Sequence, residues 1–180
     1  SFDMEGGTAP APFSPAGTNI LEGENFMLNL HGFVGYFKGM KEQPYAIQIV
    51  APESLYPATS LPLVQHANGR YAFLANRYFE VIDNPIQFSN TEAVSFQVED
   101  FTINLSVYSP NEVYHAQQLQ PAMERMMRAQ RKFLGEISRT EQYTILLYLS
   151  TLQQDALGFG ALEHHTSTVV VLPEQMPADQ

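Results

Sequence analysis

The chain has 180 residues, 44% of them hydrophobic and 12% aromatic, so it can bury a core and is neither disordered nor collagen-like. Nineteen acidic and nine basic residues give a net charge of −10, which repels polyanions and argues against a nucleic-acid partner. The absence of cysteine removes disulfides, thiolate catalysis and Cys-ligated zinc. Charged residues make up only 16% of the chain, a composition that suits a periplasmic or extracellular protein.

Nothing in the sequence predicts a membrane span. Apolar runs stay far below the roughly 18 residues that cross a bilayer, and the longest late aliphatic run is residues 169–172. The chain starts at Ser1 without a basic and apolar leader, so we expect a signal peptide to be absent or already removed.

The first residues, 1–19, carry three glycines and three prolines, which predict an extended lead-in because proline neither continues a helix nor donates to a strand ladder. From Asn25 to about residue 75, apolar and polar residues alternate, which predicts antiparallel β structure. Gly32 and Gly35 interrupt this pattern and predict bulges or close backbone approach.

A connector follows these strands. Residues 77–83 suit two helical turns, which Asn84 and Pro85 end because the residue before proline avoids the helical region. Residues 20–88 are therefore predicted to be the end of an N-terminal β domain plus a connector. A hairpin over residues 94–107, turning at Glu99 and Asp100, is predicted to open a second domain over residues 89–180.

One long amphipathic helix is predicted over residues 113–134, with apolar residues at steps of three and four and a basic cluster on the opposite face. Pro121 either kinks this helix or begins a second one, and Gly135 is the expected stop. Two more strands are predicted, one around residues 143–147 and an aliphatic one over residues 162–172.

Motifs for catalysis are missing. The histidines at 31, 66, 115, 164 and 165 lack the HExxH spacing, and His164 and His165 would leave opposite faces of the predicted strand, so no metal site is predicted within the chain. The nucleophile-elbow, P-loop and dinucleotide patterns are also absent, so no catalytic residue is assigned.

Residues 158–168 concentrate polar chemistry after a glycine pair: Glu163, two imidazoles and the hydroxyls of a Thr-Ser-Thr run. An ordinary structural interpretation stays open, in which the glycines end a loop, Leu162 fills a core and the polar residues face water. The residues Gly160-Ala161-Leu162-Glu163-His164-His165-Thr166-Ser167, however, resemble the G-G-L-E-H-x-x-S signature of the glycyl aminopeptidase-like zinc metallopeptidases, the PDZ-bearing gluzincins related to tricorn-interacting factors.

The resemblance extends upstream, where residues 81–86 are similar to the family's L-V-D-S-P-V/I segment and residues 133–136 to its F-G-E segment. It departs from the family at Ala161, and the HExxH helix with its downstream Glu ligand is absent. The resemblance implies an α+β fold: the C-terminal part of an antiparallel β domain, followed by the N-terminal β-rich half of a thermolysin-like catalytic domain with one long helix. It also implies that the chain is a piece of a zinc metallo-aminopeptidase whose zinc is bound by the missing half, with no zinc bound here.

By the same resemblance, the substrate-binding residues are expected to be Gly160, Ala161, Leu162, Glu163, His164 and Ser167. Their strand would pair with an extended peptide, and Glu163 would accept the ammonium group of a free N-terminus. His164, Thr166 and Ser167 would orient Glu163 or the substrate. The competing hypothesis is a non-enzymatic secreted β-sandwich that binds glycan or protein through aromatic residues such as Tyr36, Phe37, Tyr71 and Tyr78.

Overall fold

A computed structural model of the protein describes residues 12–134, 141–155 and 159–177, so most of the predicted lead-in and Gly135 lie outside the described residues. The elements are β1 (Asn19–Leu21), β2 (Asn25–Leu28), a 3-10 helix (Leu30–Gly32), β3 (Tyr45–Val50), β4 (Tyr56–Ala58), β5 (Leu63–Ala67), β6 (Arg70–Ala75), α1 (Tyr78–Ile82), β7 (Ile86–Ser89), β8 (Val94–Val98), β9 (Phe101–Tyr108), α2 (Ala116–Leu134), β10 (Gln142–Ser150), β11 (Gly160–Glu163) and β12 (Ser167–Pro173). No described helix has the length and apolarity that a membrane span requires.

The first half of the chain forms two antiparallel sheets, as its alternating pattern predicts. Sheet A has the strand order β1-β2-β7-β4, and sheet B has the order β3-β6-β5. Asn68 and Gly69 both have positive φ between β5 and β6, which is the backbone that a two-residue hairpin turn needs. A Cβ on Gly69 would also come within 2.5 Å of the Ala51 carbonyl oxygen.

Two predictions for this half are wrong. The strand expected around Gly32 and Gly35 is a 3-10 helix and a loop, and a Cβ on either glycine would meet nothing within 4 Å, so there is no close backbone approach. The connector after α1 continues into β7, a central strand of sheet A in which all four residues are buried. Both faces of β7 are covered, so it lacks the alternation that reveals a half-exposed strand.

Sheet C follows, with the order β11-β12-β10-β9-β8. The strands β9, β10 and β12 are parallel, and α2 makes the crossover between β9 and β10, while antiparallel strands close both edges. Helix α2 is continuous through Pro121 and begins after Val113, so neither a second helix nor the earlier start is present. Two antiparallel sheets, one mixed sheet and one long helix agree with the predicted α+β class.

The aliphatic strand predicted over residues 162–172 is two strands. β11 and β12 form an antiparallel hairpin, and His164, His165 and Thr166 form its turn. The two histidines therefore do not alternate across a strand, contrary to the prediction.

The sheets stack in layers. Sheets A and B enclose one apolar cluster that includes Phe73 and Phe88, and α2 covers one face of sheet C through another that includes Ile103 and Leu147. Between sheets A and C lies a third cluster, which consists of Phe13, Met27, Ala58, Tyr108, Leu146, Tyr148, Val169 and Val171. The two halves of the chain are thus packed against each other, and the domain limits at 1–19, 20–88 and 89–180 stay a prediction.

Candidate functional site

Strand β11, which carries most of the predicted substrate-binding residues, is the edge strand of sheet C. All four of its residues pair with β12, and no strand of the described chain pairs with its other edge. An edge strand presents backbone N–H and C=O groups to which an extended chain can add. Glu163 is exposed at the end of this strand, and Ala161 is exposed two residues earlier on the same face.

A groove of about 880 Å³ runs beside this edge, between sheet C and α2. Its floor is formed by Tyr143, Ile145, Thr168 and Val170 of the central strands. Helix α2 supplies a flexible apolar wall from three methionines and an aromatic ring, Met123, Met126, Met127 and Phe133, while Glu163 and His165 lie at the opposite rim. Among the described lining residues, the groove therefore combines a large apolar surface with one carboxylate, that of Glu163.

The carboxylate of Glu163 makes no hydrogen bond or ion pair within the part of the chain that the structure describes. It lies close enough to Tyr143 to act on it: burial, and then the charge of Glu163, raise the pKa of the Tyr143 phenol. The Tyr143 hydroxyl donates to the backbone oxygen of Ser167 at 3.1 Å, which holds the ring on the groove floor. Glu163 is thus available for a cationic group at the groove rim.

The turn that follows Glu163 points the other way, toward the first half of the chain. His164 Nδ1 lies 3.2 Å from Asp83 Oδ1, and the backbone N–H of His165 donates to Asp83 Oδ2 at 2.9 Å. The Thr166 hydroxyl donates to Asn84 Oδ1 at 2.8 Å. His164 and Thr166, predicted to orient Glu163 or the substrate, thus contact Asp83 and Asn84.

The remaining predicted residues lie away from the groove. Gly160 and Leu162 alternate to the face of β11 opposite Glu163, and Ser167 is fully buried at the start of β12 with no hydrogen-bond partner for its Oγ among the described residues. Sequence reasoning missed Asp83, Asn84 and Ser60, whose side chains hold the turn. Their partners are 81 to 106 residues distant along the chain, so no spacing pattern reveals them.

A zinc ion does not fit the described residues. Over residues 12–134, 141–155 and 159–177, no three His, Asp or Glu side chains group closely enough to hold a metal. A catalytic zinc needs three protein ligands and a water, so no step of zinc chemistry is assigned to these residues.

The comparisons with known proteins agree with a peptidase-related chain. Residues 2–90 match the family model of the Peptidase M61 N-terminal domain. The fold is similar to that of an aminopeptidase N family protein from Idiomarina loihiensis, with a TM-score of 0.73 and 19% identity over 87% of this chain and 27% of that one. An M1 zinc metallopeptidase from Deinococcus radiodurans gives a TM-score of 0.48 and 14% identity over 85% of this chain and 36% of that one. The search of curated proteins gives no match.

Proposed function

We propose that this chain is the substrate-aligning part of a zinc-dependent metallo-aminopeptidase and that the zinc ligands belong to polypeptide outside it. The observation that carries the proposal is the position of β11: it is the free edge of sheet C, and it ends in an exposed carboxylate beside a large groove. The chain spans about a quarter of the length of the aminopeptidase N family protein with which it shares its fold, which leaves room for a second half. The finer assignment, to PDZ-bearing, thermolysin-like gluzincins outside the cytoplasm, is part of this proposal.

The edge strand explains how a peptide would be held. Its backbone groups would pair with an extended substrate, and the small residues Gly160 and Ala161 leave room for that backbone to come close. The peptide's terminal ammonium would then reach Glu163, where a charge-assisted hydrogen bond favours a free N-terminus over a blocked one. Glu163 has no competing partner in the described structure, so it can make this contact without breaking another.

The groove supports a missing half. Helix α2 packs on β8 and β9 and helps to bury Ile145 and Leu147 of β10, whereas on the same face β12 is only partly buried and β11 is exposed at Ala161 and Glu163. Phe133 is 89% exposed on the groove wall, a poor arrangement for an aromatic ring unless another segment covers it. We assign this cover to the C-terminal half of the catalytic domain.

The test is Glu163→Ala in the longer protein. Loss of a charge-assisted contact of about 1.5 to 3 kcal/mol should lower kcat/KM for free-amino peptides by roughly ten- to a hundred-fold. N-acetylated peptides should be affected much less because they present no ammonium. Glu92→Ala, which removes an exposed carboxylate elsewhere, is the matched control. Equal losses for blocked and free peptides would reject the N-terminus role, and the 180-residue chain alone should show no peptidase activity.

One observation favours the binding-module alternative. Phe33, Tyr36 and Phe37 are exposed in the loop after the 3-10 helix, with the Phe37 ring 80% exposed. Tyr71 cannot join this surface because it is only 2% exposed and its hydroxyl donates to the Leu55 carbonyl oxygen at 2.9 Å. Glycan or protein binding that is lost in Phe37→Ala and retained in Glu163→Ala would favour this second function.

A further inference from the structure

We infer that Asp83 is a positioning residue for the substrate: together with Asn84 and Ser60, it holds the hairpin turn that fixes Glu163 and the end of β11. This inference rests on the proposed function of β11 and adds residues from the other half of the chain to that site. We call the contacts of Asp83, Asn84 and Ser60 with residues 164–166 the turn latch.

Each residue of the turn is held by at least one side chain of the first half. Asp83 uses both carboxylate oxygens, one toward the His164 ring and one toward the His165 N–H. Asn84 accepts from the Thr166 hydroxyl. The Ser60 hydroxyl donates to the Thr166 carbonyl oxygen at 2.6 Å. Each of residues 164, 165 and 166 thus has a hydrogen-bond partner in the first half of the chain.

The first-half side chains are themselves fixed. The Asp83 N–H donates to the Phe79 carbonyl oxygen at the end of α1, and the Asn84 side-chain amide donates to the Glu80 carbonyl oxygen at 2.7 Å. Pro85 and the buried strand β7 follow directly. The acceptors of the latch are therefore presented from a rigid corner between α1 and β7.

The His164 ring depends on Asp83. Its side chain is only 8% exposed, and its Nε2 is buried with no hydrogen-bond partner within the described structure. Asp83 is thus the one described group that sets the ring's orientation by a hydrogen bond. Glu163 directly precedes His164, about 3.8 Å away between Cα atoms, so a displacement of the His164 backbone moves Glu163 as well.

Strand β11 needs such support because it has four residues and one neighbouring strand. Short edge hairpins open locally at a lower free energy than the strands of a sheet centre. The latch joins the turn of this hairpin to residues that border β4 and β7 of sheet A, and we expect it to keep β11 extended along the groove.

The first experiment measures amide hydrogen exchange in the 180-residue chain with Asp83→Asn and Asp83→Leu. Asp83→Asn keeps one acceptor and should speed exchange at residues 160–168 about tenfold, and Asp83→Leu should speed it more, because local opening then loses fewer bonds. Exchange in β9 should stay unchanged. Asp100→Asn, which removes an equal charge at the far hairpin and leaves the latch intact, is the control. Unchanged exchange at residues 160–168, or acceleration throughout the chain, would overturn the latch.

The second experiment is a double-mutant cycle in the longer protein. Asp83→Asn should raise KM for free-amino peptides about tenfold with little change in kcat, and this effect should vanish in a Glu163→Ala background. An Asp83 effect of the same size with and without Glu163 would show that Asp83 acts on the fold alone. If Glu163→Ala itself has no effect, the aminopeptidase proposal fails, while hydrogen exchange still decides the latch separately.

Discussion

The groove beside α2 makes a prediction that needs no activity measurement: Met126 on its wall should be exposed in the 180-residue chain and covered in the longer protein. Met126 on the groove wall is 43% exposed, and Met40, in a loop of the first half, is 49% exposed. Mild peroxide should therefore oxidise the two side chains at similar rates in the 180-residue chain, because oxidation of methionine follows exposure. Met27, which is fully buried, should react slowest.

In the longer protein, a segment packed on the groove should slow oxidation of Met126 about tenfold and leave Met40 unchanged, as read by peptide mass spectrometry over time. Equal rates at Met126 and Met40 in the longer protein would refute the assignment of a covering segment. Protection of Met126 that grows with concentration in the 180-residue chain would show that a second copy covers the groove, and this would also contradict the assignment.

Two further predictions concern buried polar side chains. Glu174 accepts hydrogen bonds from the Ser109 hydroxyl and from the backbone and side chain of Asn111. Glu174→Ala should therefore lower the free energy of unfolding in urea by about 3 kcal/mol. Glu92→Ala, at an exposed position, is the control and should change this free energy little. Burial raises the pKa of Glu174, but these three hydrogen bonds outweigh the effect of burial and leave the pKa below its ordinary value. The stability that depends on this carboxylate should therefore be complete above the ordinary glutamate pKa. It should be lost as the pH falls through the lowered pKa. Gln87 is fully buried in β7, and neither polar atom of its side chain has a hydrogen-bond partner among the described residues. Gln87→Met should therefore leave the free energy of unfolding unchanged or raise it by about 1 kcal/mol, and a clear destabilisation would show that ordered water bridges the amide.

Local patterns predicted the parts of the fold that depend on local chemistry. The hairpin turn at Glu99 and the short helix ended by Asn84 were both predicted, because alternating runs flank the turn and proline restricts the residue before it. Strand β7 was missed for the opposite reason. It is covered by sheet B on one face and by sheet C on the other, so its sequence shows no period of two.

The hairpin of β11 and β12 was missed because residues 164–166 contain no glycine or proline to mark a turn. Side chains from the first half, at positions 60, 83 and 84, end the strand there instead. Such contacts depend on how sheet A packs on sheet C, and that packing depends on the shared apolar cluster around Tyr108 and Leu146. Sequence patterns predict the strands of each sheet, but they do not predict how sheet A packs on sheet C.

The motif block therefore divides into two kinds of residue. Glu163 lines the groove and Ala161 lies on the same face of β11, and the Glu163 side chain has no partner among the described residues, whereas His164 and Thr166, one and three positions after Glu163, are bound to the first half. Glu163 would therefore contact the substrate, whereas His164 would keep the strand in position. Replacing Glu163 should remove the carboxylate and leave β11 in place. Replacing His164 should keep the carboxylate but release the end of β11 from Asp83. On the turn latch that we propose, residues 160–167 require both halves of the chain, because the side chains of residues 60, 83 and 84 fix the turn between β11 and β12.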